Sequence, residues 1–263
     1  MFSIIIPTLN NIDYLKNCIR SLKKNSKFNH QIVPHVNVGE DGTLKYLDTE
    51  KIDYTFTKYN SGICEGMNLA SKKAKFEYIL YSHDDFYFCP DWDTVLLNEV
   101  NRIGHNKFYL SGTMINNGPL KFDCGSDIDT FDEDKLLCNY KNINFYDFQG
   151  STWAPHLIHK NLWNKVGGFS EEFYPGTASD PDLNMKLWNE GIRIFKGLND
   201  CKVYHFGSIV TRRYKDHPTI KTESGSKGAK IFLLKWGISI KFFKKRYLRS
   251  DEIYESNLKE PIK

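Results

Sequence analysis

The six cysteines of this 263-residue chain, Cys18, Cys64, Cys89, Cys124, Cys138 and Cys201, include no CxxC pair. That excludes zinc ribbons and thioredoxin-like redox centres, and a chain of this length needs no disulfide staples. Long hydrophobic runs are also missing. The most apolar late stretch, residues 231–243, is broken by Lys235 and Lys241 and is too short to span a bilayer. Charge of one sign is scarce, with 36 basic residues against 32 acidic ones and a net charge of +4. That is too slight to imply nucleic acid, and no aromatic-basic motif supports such a partner. Internal repeats and low-complexity linkers are absent, and the N-terminus enters a strand with no charged leader or cleavage site. A cytoplasmic protein is expected. At 40% hydrophobic and 26% charged, the chain has the composition of a globular protein with a substantial core.

What the sequence does contain is alternation. Ser3 to Ile6 reads as a buried strand, followed by Tyr14, Leu15, Cys18, Ile19 and Leu22 at helical spacing. Gln31 to Val38 is a second strand, with a helix from Leu44. Tyr54 to Thr57 is a third, with a helix over about residues 64–73. Tyr78 to Tyr81 is a fourth, and Val95, Leu96, Val100 and Ile103 mark the helix after it. Strands and helices in this order predict a doubly wound α/β fold with a mostly parallel central sheet. Right-handed crossovers bring the strand ends to one edge of that sheet, where ligands collect in open α/β folds. The second half is less regular. Phe108 to Met114, Ile192 to Phe195 and Val203 to Phe206 read as strands, and a helix runs from about Pro181 to Glu190.

The stretch from Glu77 to Trp92, EYILYSHDDFYFCPDW, anchors the reading. An apolar strand ends there in Asp84 and Asp85, two carboxylates where a cation and a phosphate group could meet. The same two residues would also serve as a turn or a helix cap.

The ordered series SIIIPTLN, VNVGEDGT, NSGICEGMNLA, YILYSHDDFYFCPDWD, KVGGFSEEFYPG, SDPDLNMKLWNEG and VYHFGS resembles family 2 glycosyltransferases of the GT-A fold, over about residues 1–210. The resemblance implies a domain over residues 1–224, with a nucleotide-binding half (1–105) and an acceptor-binding half (106–224), and a basic helical tail over 225–263. It implies a nucleotide-sugar donor, of the uridine type, held by Thr8, Asp41, Asn60, Asn68 and Asp84. Thr8 and Asp41 are equally suited to strand-end capping and a tight turn, and Asn68 to a solvent-facing helix position. The family's acid-X-acid metal motif is His83, Asp84 and Asp85 here, so its first acid is missing. Asp85 is the implied ligand for a divalent cation, Mn2+ or Mg2+, with His205 as a second or as a structural histidine. The implied chemistry is inverting sugar transfer to a hydroxyl of a glycan, lipid-linked or protein acceptor. Its base falls in the SDPD run, where Ser179 stands for the usual glutamate. Asp180 is the choice and Asp182 the fallback. Asp180-Pro181-Asp182 is also a near-ideal helix start, and a capping role would lower the Asp180 pKa. Trp153 is the candidate sugar platform, and Trp163 reads as core.

Residues 227–248 mix apolar and basic residues. Packing on the domain and contact with an anionic membrane, where a lipid-linked acceptor would lie, both fit. A catalytically silent module that binds sugar nucleotide or glycan is the alternative function, kept open by His83 and Ser179.

Overall fold

A computed structural model describes residues 1–207, 209–210 and 225–261. In chain order the elements are β1 (Phe2–Leu9), α1 (Ile12–Asn25), β2 (Gln31–Asn37), α2 (Thr43–Thr49), β3 (Thr55–Thr57), α3 (Gly62–Ser71), β4 (Tyr78–Tyr81), β5 (Phe86–Phe88), α4 (Trp92–Ile103) and β6 (Tyr109–Ile115). There follow α5 (Glu133–Asn139), β7 (Phe148–Gln149), β8 (His156–His159), α6 (Lys160–Lys165), α7 (Ser179–Asn189), β9 (Phe195–His205), α8 (Gly225–Trp236) and α9 (Ile240–Arg246).

Nine strands among the described residues form one sheet in the order β3-β2-β1-β4-β8-β6-β9-β5, with β7 on β9. The first four strands are parallel, with Ile5 opposite Tyr81 and Leu9 opposite Asn37. Ile4, Ile5 and Ile6 are fully buried, as expected of a strand covered on both faces. α3 packs on β1 and β2, α1 on β5, and α4 on β9. The α/β class is as the sequence predicts, but the parallel part is narrower. β8 runs antiparallel between β4 and β6, while β5 and β7 run antiparallel to β9. The two late strands expected at 192–195 and 203–206 are one, β9, with an irregularity opposite Ser111 and Thr113. At Gly197 a Cβ would meet the Phe148 ring at about 2.0 Å, so only glycine lets β7 lie flat on β9 there.

β5 sets the course of the chain at the carboxyl end of the parallel strands. The chain leaves β4 mid-sheet and crosses to the sheet's far edge, where Phe86 pairs with His205 of β9. The link between, Ser82 to Asp85, therefore spans the carboxyl edge of the parallel strands.

The C-terminal tail packs on the domain. Phe232, Phe243 and Leu248 are fully buried and belong to the main core, and Leu258 is nearly so. Each buried phenylalanine contributes about 1.5–3 kcal/mol by removal of apolar surface from water. The expected boundary at 224 lies outside the described residues. No helix among the described residues is long and apolar enough to cross a membrane.

Candidate active site

The β5–β9 register sets His205 beside Asp85, with Nε2 3.4 Å from Oδ2. The Phe206 amide donates to the Asp85 carbonyl at 3.1 Å, and the Ile209 amide approaches Oδ2 at 3.4 Å. Burial pushes the Asp85 carboxyl up, but the rings of His205 and His83 outweigh it and hold the carboxyl below its usual range. His205 Nδ1 lies 3.2 Å from the Asn117 carbonyl oxygen. A carbonyl only accepts, so Nδ1 carries the proton. In the neutral ring Nε2 then turns a lone pair toward a carboxylate, and this buried nitrogen makes no well-formed hydrogen bond. Two facing lone pairs repel, and a cation between the groups relieves the conflict. The donor set fits a cation.

His83 is the residue the sequence reading passed over as merely a missing acid. One donor atom each from His83, Asp85 and His205 lie within 4.8 Å of one another. His83 and Asp85 flank Asp84 where the link turns at residues 84–85, and their donor atoms meet across that turn. Asp84 is buried; after burial itself, its charge leads that of Asp85 in pushing the Cys18 thiol up. The signal was present in the His-X-Asp spacing.

Asp180 is not a cap. α7 starts at Ser179, earlier than expected, and the cap position is Ala178, with φ 69 and no side-chain cap. The cause lies in the preceding turn, where the Ser179 hydroxyl donates to the Gly176 carbonyl at 2.7 Å. Asp180 Oδ1 is buried without a hydrogen-bond partner. Burial pushes its pKa up to about 7, with the Lys244 ammonium pulling the other way. This reverses the lowering expected from a cap. Tyr81 feels the charges of both Asp180 and Asp85, which with burial push its hydroxyl well up. Tyr81 is thus within electrostatic reach of both the base candidate and the cation cluster, and its hydroxyl is 2.8 Å from His83 Nε2.

Asp182, the fallback base, is a correction. It is fully buried, accepting from Ser170 Oγ at 2.6 Å, Trp236 Nε1 at 2.9 Å and Lys235 Nζ at 3.0 Å. It ties α8 to the domain and has no room for an acceptor hydroxyl. Asn68 is also corrected, both as pocket lining and as a solvent-facing residue. Its amide bonds Phe169 N and O, each at 2.9 Å, and Glu171 Oε1 at 3.1 Å, holding the loop before α7.

At the carboxyl end of β1, Thr8 is buried with its hydroxyl unpartnered. Asn11, three residues on and missed by sequence reasoning, is also buried with neither amide atom bonded. Its only signal was position, just past the β1 end. Asp41 is engaged in the fold: Ile12 N donates to Oδ2 at 2.8 Å, and Thr43 N and Oγ1 to Oδ1 at 3.1 and 2.7 Å. Asn60 Oδ1 accepts from Gly62 N at 3.0 Å. Trp153 is half-buried and stacks on Phe148 at 5.6 Å. Lys244, the same lysine that Asp180 feels, lies over its ring at 5.5 Å. Trp163 is core, edge-on to Phe169.

Comparison with known proteins agrees with the fold and the family resemblance. The model of the family described as "Glycosyl transferase family 2" matches residues 3–154, more than half of the chain. An uncharacterised glycosyltransferase of Rickettsia felis is 29% identical over 198 residues, which cover 71% of this chain and 31% of that protein. Among solved structures, S. aureus TarS 1-349 superposes with a TM-score of 0.59 at 19% identity, covering 78% of this chain and 60% of that one. The complex of that protein with UDP-GlcNAc gives a TM-score of 0.56 at 17% identity, covering 77% of this chain and 57% of that one. The chain thus spans under a third of its relative's length and about three-fifths of the solved structure.

Proposed function

The chain belongs to glycosyl transferase family 2, and on that basis we propose that it is a glycosyltransferase moving a sugar from a uridine nucleotide sugar to a hydroxyl acceptor, with inversion at the anomeric carbon. The observation that carries this reading is the Asp180 carboxyl, half-buried with its Oδ1 unpartnered, uncapped and raised to about 7, close enough to Tyr81 to share its electrostatic surroundings with the cation cluster. A base with a pKa near the working pH holds enough ionised form and enough basicity to accept the hydroxyl proton in the transition state. The acceptor oxygen bonds to the anomeric carbon, the bond to the diphosphate oxygen breaks on the opposite face, and the proton passes to Asp180. His83, Asp85 and His205 would hold a divalent cation, which when bound supplies charge neutralisation for the leaving diphosphate. Thr8 and Asn11 offer unpartnered groups for the nucleoside, with Asp41 and Asn60 shaping the strand-end turns and Asp84 beyond them toward the ribose. TarS, a structural neighbour, is known in complex with UDP and with UDP-GlcNAc, which supports a uridine donor. Trp153 offers a ring face for the sugar. A glycan, lipid-linked or protein acceptor would approach Asp180.

Leu233, Leu234 and Phe242 are exposed on α8 and α9, with Lys230, Lys241, Lys245 and Arg246 close by in sequence. This supports peripheral contact with anionic lipid on the cytoplasmic side. Leu234→Glu with Phe242→Glu should abolish co-sedimentation with anionic vesicles; unchanged co-sedimentation would refute the contact.

The test of function is release of UDP from a panel of UDP-sugars with Mn2+, followed by chromatography. Wild type should turn over, and Asp180→Asn should lose about 100-fold or more while binding UDP as before. Near-normal turnover in the variant would remove Asp180 from the role. UDP binding without turnover of any donor would leave the silent-module reading instead.

A further inference from the structure

We propose that His83 sets the metal preference of this site, turning it into a two-imidazole, one-carboxylate cluster that favours manganese-class ions over magnesium. The proposal rests on the cation reading above and extends it to the identity of the ion. Its ground is the donor set. Of the three protein donors within 4.8 Å of one another, two are imidazole nitrogens and one is a carboxylate oxygen. Magnesium demands oxygen ligands in a near-ideal octahedron and sheds water reluctantly. Imidazole suits borderline ions, and affinity for nitrogen ligands rises from manganese through cobalt.

The surroundings hold both rings in place. Phe86 stacks on His83 at 5.0 Å and 21° and meets His205 edge-on at 5.0 Å and 89°. One phenylalanine thus orients both imidazoles. The Tyr81 hydroxyl engages His83 Nε2 at 2.8 Å, and the Asn117 carbonyl engages His205 Nδ1 at 3.2 Å. Such outer partners are what direct a histidine toward a metal. Asn117 is fixed in turn, its Nδ2 donating to the His205 carbonyl at 3.0 Å. An acid at position 83 would make the neighbouring pair all oxygen and admit magnesium on more equal terms.

The experiment is Mn2+ binding to the full chain with UDP present, followed by EPR and competed with Mg2+, in wild type and His83→Asp. The preference for Mn2+ over Mg2+ should fall by about tenfold or more in the variant. Pulsed EPR on bound Mn2+ provides a second readout that does not depend on how well the aspartate is tolerated. Nitrogen couplings from two imidazoles are expected in wild type and from one in His83→Gln. Coupling from a single imidazole in wild type, or an unchanged preference in a folded His83→Asp, overturns the proposal while leaving a cation at Asp85 and His205. Failure of Mn2+ to bind the wild type at all overturns the cation reading as well.

Discussion

As the proposed base, Asp180 would couple chemistry to stability, and the sign of that coupling is testable. A carboxyl raised to about 7 in the folded state, against about 4 when unfolded, stays protonated in the fold while the unfolded chain ionises. Below pH 4 both forms are protonated and Asp180 is neutral to folding. Between about 4 and 7 the unfolded chain binds fewer protons, so this residue's contribution turns increasingly unfavourable as pH rises. Above 7 the cost is at most about 4 kcal/mol, and smaller because the residue keeps some access to water. Asp180→Asn should therefore be more stable than wild type at pH 8 by about 1–3 kcal/mol, and no more stable at pH 4, in urea denaturation. His35 and His83, each lowered to about 4 mainly by burial, run the other way and destabilise the fold as pH falls below 6.5. The difference between wild type and variant cancels them and isolates Asp180. A constant difference across pH would contradict the buried-carboxyl assignment. The acid limb of kcat/KM should have its midpoint near 7, and a limb near 4 would show Asp180 to be solvated during turnover.

The elements show which signals a sequence carries. β1 to β4 were legible because apolar runs of the right length end in polar residues, and the parallel register follows from the intervening helices. β8 offers only a short apolar pair, Leu157 and Ile158, and nothing local sets its antiparallel course between β4 and β6. The same applies to Asp182 and Asn68, whose partners lie 54 and 101 residues away. Spacing rules see neighbours in the chain, whereas these side chains are assigned by contacts that only the folded sheet brings together. Asp180 shows the reverse error: a sequence ideal for capping was overruled by a turn through Ser179 and Gly176. α8 depends on one such distant contact. Trp236→Phe removes the indole donor to buried Asp182 and should cost about 1–3 kcal/mol in urea denaturation, with UDP binding unchanged. A loss below about 0.5 kcal/mol would mean that Lys235 and Ser170 suffice to satisfy the carboxylate. Truncation within α8 would expose core around Phe243 and Leu248, so removal of the tail probes folding before it probes lipid contact.

At the scale of the whole molecule, two halves of the sheet meet at one edge. The parallel strands bring Thr8, Asn11 and the link from Ser82 to Asp85, while β9 and α7 bring His205 and Asp180 from the second half. In the proposed site, neither half would suffice by itself. The direct measurement is crystallography with Mn2+ and UDP, reading the anomalous signal of manganese. A peak bonded to Asp85 and His205 and touching the diphosphate, with Asp180 across the space left for the sugar, is the expected result. UDP bound at the strand ends with no manganese at Asp85, or with Asp180 walled off from the diphosphate, would contradict a single catalytic cleft.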